Sequence, residues 1–467
     1  MLPHWLTPKR LIALVSACVV VLVGVWGTRT VLALGHLFHS DPLTTVRTVL
    51  GINGESGVDK QSKNLQRINV ALYGYGGPGH DGPYLTDSIM VVSIQPQASG
   101  PPRIAEISIP RDWWVPINLG NGRSAMQRVN VAYSTGETGA PFQSSFDNSD
   151  KLGGGRTGNA TLERMLGIHL DYFIGVDFDA FQQAVDSVGG IDVNVAHTFT
   201  DNNFPSDGCD NGGNCKPITI HFNAGQQHMD GHTALQFARS RESTDPQEGT
   251  NFARNKRQQL VLNAVKAKVL SVGGISKLPD LLNALGDNVL TDLKIDDAKS
   301  LYDLVKGVDN SSILHISIDD SNLVYECGNR CDASIEYPHD RTFGSTSHYM
   351  RSLFVDQAVL GEKAPISIVD ASGRGAGADQ RWAAMLTPLG FNATASGRQR
   401  AQSTTEVIAA SGDADSKTAQ WLASYFGISV TTAQAGSSAA QTGGVTVVLG
   451  QDEEKTFNNP SAGLYTS

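Results

Sequence analysis

Apolar residues in this chain gather in short continuous runs separated by breaks rich in glycine and proline. INVALY (68–73), IMVVSI (89–94) and IAEISI (104–109) are dense in β-branched residues and do not alternate with polar ones. That pattern predicts strands of a sheet covered on both faces. A helical segment carrying Thr161 and Glu163 leads into LDYFIGVDF (170–178), an amphipathic helix covers 180–188, and IDVNV (191–195) reads as another strand. Strands alternating with helices predict an α/β domain with a central, mostly covered β-sheet flanked by helices. Beyond the Asp230-Gly231 turn a short helix is expected over 233–238. A longer helix follows over 252–269, with Leu260, Val261, Ala264, Val265 and Val269 as its apolar stripe.

After Gly361-Glu362-Lys363-Ala364-Pro365 the pattern restarts. PISIVD, a helix over 380–386, GFNATA, TTEVIAAS, a helix over 417–426 and VTVVLG follow in order. This is a βαββαβ series, predicting a small C-terminal α+β domain. The expected layout is a short cytoplasmic segment with a transmembrane anchor (1–34) and a polar tether (35–66). The main domain with its C-terminal extension (67–355), the small domain (362–452) and a disordered tail (453–467) complete it.

The N-terminus has its own pattern. LIALVSACVVVLVGVWG follows Lys9 and Arg10, and apolar residues continue to Leu34. At about 1.5 Å per residue this run reaches across a bilayer of roughly 30 Å if Arg29 snorkels outward. A cleaved signal peptide competes, since Val31-Leu32-Ala33 offers a small-residue site, but the length of the run favours a single-pass anchor. Cys18 lies in that run, while Cys209 with Cys215 and Cys327 with Cys331 form two tight local pairs. Such pairs suggest disulfides in an oxidising compartment, which places the folded part outside the cell membrane. A four-thiolate zinc site is the alternative, and these gaps suit it poorly.

Composition adds one constraint. With 36 Lys and Arg against 46 Asp and Glu, the formal net charge is -10, which argues against bulk nucleic-acid binding. Yet FARSRESTDPQEGTNFARNKRQQL (237–260) packs Arg239, Arg241, Arg254, Lys256 and Arg257 into one stretch. Arg254, Arg257 and Gln258 are three and four apart and share a helix face. Glu242, Asp245 and Glu248 lie between the cations, so a solvated, salt-bridged surface and an anion site fit the spacing equally. The use of arginine favours phosphate, which its planar fork grips bidentately.

Asp87 at a strand start and Arg111-Asp112 after a strand end read either as turn residues or as part of a metal-assisted phosphoryl-transfer site. The glycine-rich VDASGRGAG (369–377) lacks the acid about 20 residues on that a dinucleotide site needs. His228 and His232 have metal-like spacing, but Gly231 between them marks a turn. No Walker A, HExxH or GxSxG sequence occurs. Trp113 and Phe173 suit core packing, with a lipid pocket as the sharper alternative.

Taken in order, LTDSIMVVS, ISIPRDWWV, RVNVAYSTG, LGIHLDYFIGVDFDAF, SVGGIDVNV, FNAGQQHMDGHTALQFARSR and FARNKRQQ resemble the LytR–CpsA–Psr family of membrane-anchored cell-wall enzymes. The resemblance covers about 68–267, and 364–452 is similar to a C-terminal domain often attached to that family. It implies a bacterial phosphotransferase that moves a glycopolymer from a polyprenyl-pyrophosphate carrier to peptidoglycan at the outer face of the cell membrane, with a possible pyrophosphatase side activity. It also implies Mg²⁺ (or Mn²⁺) with Asp87 as ligand, and catalytic roles for Asp87, Arg111, Arg239 and Arg241. Arg128, Arg254 and Gln258 would bind the pyrophosphate. Two departures stand out. Gly76 occupies the place of a turn Asp that many members use for the metal, so that either His80 or Asp81 substitutes or the metal is held more weakly, and Asn251 replaces an acid. These leave a second reading, a non-catalytic binding module for polyprenyl-phosphate lipids or wall polymers. A transcriptional regulator, suggested by the family's name, is disfavoured by the anchor, the acidic charge and the lack of a helix-turn-helix.

Overall fold

The computed structural model describes residues 31–32, 34–35, 38, 40–49, 54–80, 82–206, 216–270, 288–326, 335–340, 342–374, 377–410, 416–433 and 444–453. Residues 11–30 of the expected anchor, Asp81, the cysteines Cys209, Cys215, Cys327 and Cys331, and the tail from 454 onward lie outside the described residues. Among the described residues no helix is long and apolar enough to cross a membrane.

In chain order the elements are α1 (Pro42–Val49), α2 (Gly57–Lys63), β1 (Ile68–Tyr75), β2 (Thr86–Gln95), β3 (Arg103–Ile109), β4 (Trp114–Gly120), β5 (Arg123–Arg128), α3 (Val131–Thr138), α4 (Gly153–Leu166), β6 (Tyr172–Asp177) and α5 (Phe178–Ser187). Next come β7 (Ile191–Val195), β8 (Phe199–Phe204), β9 (Ile218–Phe222), β10 (Gly225–Met229), α6 (Gly231–Arg239), α7 (Asn251–Leu270), β11 (Val289–Thr291), α8 (Ile295–Val305), β12 (Leu314–Ser317), β13 (Val324–Glu326) and β14 (Glu336–Pro338). The C-terminal region adds α9 (Gly344–Arg351), α10 (Gln357–Leu360), β15 (Pro365–Asp370), α11 (Ala378–Leu386), β16 (Asn392–Arg398), β17 (Glu406–Ala409), α12 (Lys417–Phe426), β18 (Val430–Thr432) and β19 (Val445–Leu449).

The fold is mixed α/β. Its main sheet has the strand order β11-β6-β1-β2-β3-β12. β2 and β3 pair antiparallel from Ile89↔Ile109 to Gln95↔Arg103, and β12 joins β3 parallel. Every β3 residue after Arg103 is buried, as its unbroken apolar run requires of a strand covered on both faces. The chain divides into two units, the first comprising residues 1–64, 74–83 and 174–307, the second 65–73, 84–173 and 308–467.

In the first unit, Val185, Val193, Phe199, Phe222, Phe237 and Val261 belong to one buried cluster, against which Leu260, Ala264 and Val265 of α7 pack. The segment read as a tether folds in part. Ser56 and Asp59 close a capping box on α2, and the Val58 N–H donates to Asp297 Oδ1 at 3.0 Å. Those two polar residues look like linker composition until their three-residue spacing is read as a cap. IDVNV, expected as a strand, is β7, and it pairs with β10, whose polar residues hid it, as the polar residues of β8 hid the β8–β9 hairpin.

In the second unit, α4 begins with three glycines and packs on α3. A Cβ at Gly155 would lie 2.2 Å from the Phe173 ring, and one at Gly136 would lie 2.1 Å from the Gly153 carbonyl oxygen. The glycines are there to let backbones and rings approach. The C-terminal strands form a separate sheet in the order β16-β15-β19-β17-β18. β15 runs parallel to both β16 and β19, while β17 is antiparallel to β19. The short edge strand β18 adds one element to the expected series. Glu453, read as the start of a tail, is 1% exposed and accepts hydrogen bonds from Arg381 at 2.9 Å and from the Trp382 indole. It belongs to the fold.

Candidate active site

Three segments of the second unit are tied together through their backbones. The Thr86 N–H, next to Asp87 at the start of β2, donates to the Asn130 carbonyl at 3.3 Å. The Asn130 N–H donates to the Arg111 carbonyl at 3.2 Å, and the Val129 N–H to the Trp113 carbonyl at 2.8 Å. The turn after β3 therefore sits beside the strand that carries Asp87. Fixed backbones set the side chains. Arg111 donates to Asp87 Oδ1 and, at 3.2 Å, to Asp112 Oδ2, while Arg128 Nε lies 3.4 Å from Asp112 Oδ1. The result is a chain Asp87–Arg111–Asp112–Arg128 of alternating charge. Burial works against the Arg111 charge, but Asp87 and Asp112 outweigh it and raise the guanidinium pKa above its ordinary value. Asp87 is the member most open to solvent, with 38% of its side chain exposed.

The first unit holds the other arginines. Arg239 closes α6, and its guanidinium carbon lies 4.2 Å from the centroid of the Phe178 ring and 5.4 Å from that of Phe204. Both contacts have cation–π geometry. Behind it, the buried carboxylate of Asp201 accepts from Ser240 Oγ at 2.7 Å and from the backbone N–H groups of Arg241 and Glu242. This fixes the chain as it leaves α6. Arg241 is exposed, its Nε 3.8 Å from Glu242 Oε1. Arg254 is buried, and Gln258 Nε2 lies 3.5 Å from the Ala238 carbonyl.

The face expected to present Arg254, Arg257 and Gln258 together is not a surface. Arg257 is 2% exposed, donates to the Phe237 and Ser240 carbonyls, pairs with Glu248 at 2.6 Å and lies over the Phe199 ring. It is a strut that joins α7 to the end of α6.

The turn after β1 explains the departure at Gly76. A Cβ on Gly76 would lie 2.8 Å from His80 Cβ, so no carboxylate fits there unless His80 moves. Gly77 has φ +90, and a Cβ on it would lie 2.9 Å from the Cβ of Asp177, a buried carboxylate that sequence reasoning missed. Asp177 caps α5 through the Ala180 N–H at 2.7 Å, and burial pushes its pKa up against that hydrogen bond. The His80 ring sits edge-on to Phe178, the same ring that carries Arg239. An aspartate before a phenylalanine at a strand end was the available clue, masked by its ordinary role as a cap.

Among the described residues no group of three or more His, Cys, Asp or Glu is placed to hold a metal. Asp87 still fits a divalent cation of the Mg²⁺ kind, which uses one or two carboxylates and takes its other ligands from phosphate and water. Arg111 engages Oδ1 of Asp87, which leaves Oδ2 available.

These features define an α/β protein whose arginines and carboxylates suit a phosphate-bearing anion. The chain belongs to the LytR–CpsA–Psr family, whose model matches residues 45–340. A second model, described as LytR cell envelope-related transcriptional attenuator, matches residues 363–452. The chain is 26% identical over 293 residues to the polyisoprenyl-teichoic acid–peptidoglycan teichoic acid transferase TagV of Bacillus subtilis (strain 168), covering 63% of this chain and 66% of that one. It is 31% identical over 229 residues to the transferase of the same kind, TagU, of Bacillus mycoides (strain KBAB4), covering 49% of this chain and 61% of that one. The chain thus spans somewhat under two thirds of the length of these curated relatives. The crystal structure of B. subtilis TagV superposes with a TM-score of 0.45 at 24% identity, covering 62% of this chain and 97% of that one.

Proposed function

We propose that this protein is an envelope phosphotransferase that moves a glycopolymer from a polyprenyl-pyrophosphate carrier onto peptidoglycan. The observation that carries this reading is the chain Asp87–Arg111–Asp112–Arg128, preset by backbone hydrogen bonds in a member of a family whose relatives bear that activity in their names. In the reaction, an acceptor hydroxyl oxygen bonds to the phosphorus next to the glycan. The bridging P–O bond breaks, the hydroxyl proton passes to the departing phosphate or to water, and polyprenyl monophosphate leaves. Guanidinium groups held in advance stabilise the charge that grows on the leaving phosphate, and such preorganisation is the main catalytic resource in phosphoryl transfer. Arg111, Arg128, Arg239, Arg241, Arg254 and Gln258 are the residues assigned to that task. Mg²⁺ or Mn²⁺ held by Asp87, with Asp81 as a further ligand, would neutralise part of the pyrophosphate charge. An anchor over residues 11–34 would hold the chain in the cell membrane with its domains outside, where Cys209–Cys215 and Cys327–Cys331 would be oxidised.

The test uses the full chain in lipid nanodiscs with a polyprenyl-pyrophosphate-linked glycan and peptidoglycan fragments, following release of polyprenyl monophosphate with and without Mg²⁺. Arg239→Ala and Asp87→Ala should each lower the rate by about 10²-fold or more, as loss of a preset electrostatic group does. Unchanged release in both variants would sink the transferase. The closing of the Gly76 turn against His80 favours a second reading, the non-catalytic lipid-binding module. That reading requires tight lipid binding by wild type and Asp87→Ala alike, with no release from either.

A further inference from the structure

β14 brings the chain back to the turn that carries Arg111 and Asp112. The Glu336 N–H donates to the Asp112 carbonyl at 3.1 Å, and Glu336 forms a parallel bridge with Trp113. On its other side Glu336 is the direct cross-strand partner of Glu326 in β13. Two like charges in that register repel, so the pair is tolerated when one is neutral. Glu336 is 6% exposed, and its Oε2 accepts no hydrogen bond.

The charged groups around it are Asp112 from the turn, Glu326 from β13, and Asp319 and Asp320 from the segment before β13. The two cations on Asp112, Arg111 and Arg128, are held by that carboxylate. An ionised carboxylate here would be desolvated and repelled from four sides. Burial first, and then these four acids, push the Glu336 pKa up to about 8.

We propose that Glu336 is a positioning residue: as a neutral carboxylic acid it leaves Asp112 as the anion against which Arg111 and Arg128 are set, and its ionisation disrupts that setting. Arg128 is the cation most readily diverted, because its Nε is buried, makes no hydrogen bond and relies on the 3.4 Å approach to Asp112. A second negative charge acting on Asp112 repels that carboxylate, disturbs this approach and adds negative charge where the pyrophosphate must come. Glu336 therefore sets an alkaline limit on anion binding without touching the ligand. The assignment rests on the reading that Arg111 and Arg128 hold pyrophosphate.

The experiment compares wild type with Glu336→Gln, which keeps the shape of the neutral acid and cannot ionise. Affinity for a short-chain polyprenyl pyrophosphate is measured by calorimetry on the full chain, from about pH 6 to about pH 9, with release followed in the same samples. The two proteins should bind alike at the acid end. Above about pH 8 wild type should fall behind Glu336→Gln, by roughly tenfold for each unit by which the ligand shifts the Glu336 pKa. Thermal unfolding over the same range reads the titration itself. A carboxyl whose folded pKa is raised from 4.5 to about 8 contributes stability that is full below the lower value and lost as pH rises through the upper one. The wild-type midpoint should therefore drop relative to Glu336→Gln across that window. Parallel pH dependence of binding in the two proteins overturns the assignment. A pH-dependent binding difference with no release at any pH refutes the transferase and leaves Glu336 as assigned. No binding by either protein removes both.

Discussion

The Arg257 side chain is 3% exposed and donates to the Phe237, Ser240 and Glu248 carbonyls and the Glu248 carboxylate, whereas that of Arg241, in the same basic stretch, is 46% exposed beside Glu242. Arg257→Ala would strand the largely buried Glu248 carboxylate and the carbonyls of Phe237 and Ser240. Breaking a buried pair from one side costs about 3–5 kcal/mol, while an exposed substitution stays within about 0.5 kcal/mol. Denaturant unfolding of Arg257→Ala and Arg241→Ala should show that gap, and equal midpoints would remove the structural role given to Arg257. Spacing could not separate the two arginines, since three- and four-residue intervals fix a shared face but not which way it points. The strand-end placement of Asp87 and Arg111 was legible because each adjoins an unmistakable strand. Phe178 and Phe204, which cushion Arg239, were not, because their approach is long-range in sequence and each reads as ordinary core. Glu336 stayed hidden for a similar reason, since only the β13–β14 pairing exposes it as a carboxylate among carboxylates.

Among the elements, α12 shows how a boundary motif can do a helix's work. Glu362, in the Gly-Glu-Lys-Ala-Pro break where the pattern restarts, accepts from Ser416 Oγ, the Lys417 N–H, the Thr418 N–H and Thr418 Oγ1. Its slight burial opposes ionisation, but the hydrogen bonds from Thr418, Lys417 and Ser416 win and hold its pKa down to about 2. A carboxyl whose folded pKa is depressed contributes stability above its ordinary value of 4.5, and that contribution is lost as pH falls towards 2. Glu362→Gln should therefore unfold earlier than wild type near neutral pH, with the gap closing on acidification. A gap that is constant with pH would mean the cap does not depend on charge. Strands with dense β-branched runs were readable from pattern alone, as was the 417–426 helix. The helix read around Thr161 and Glu163 is α4, but its start was harder to read, because it opens on three glycines, two of which make room for Tyr133 and Phe173.

At the scale of the whole chain, order carried more information than composition. Seven short pieces in family sequence indicated a member before any contact was known, and the family model then matched residues 45–340. That match begins inside the stretch read as a tether, where α1 and α2 lie. What no linear reading could supply is the interleaving: each unit is assembled from three separate pieces of chain, so its membership is decided by long-range pairing. The same gap between sequence match and physical edge matters at the C-terminus. The second model match stops at residue 452, one position before Glu453, whose carboxylate is shared by Arg381 and Trp382. Trimming the gene at the end of the match would thus delete a hydrogen-bond hub along with the tail. Proteins ending at 452 and at 453 should differ in melting temperature and in protease resistance by far more than one surface residue warrants, and identical behaviour would show that hub to be dispensable. For an engineer choosing where to fuse a tag or a reporter, the safe edge of this domain is set by a buried carboxylate.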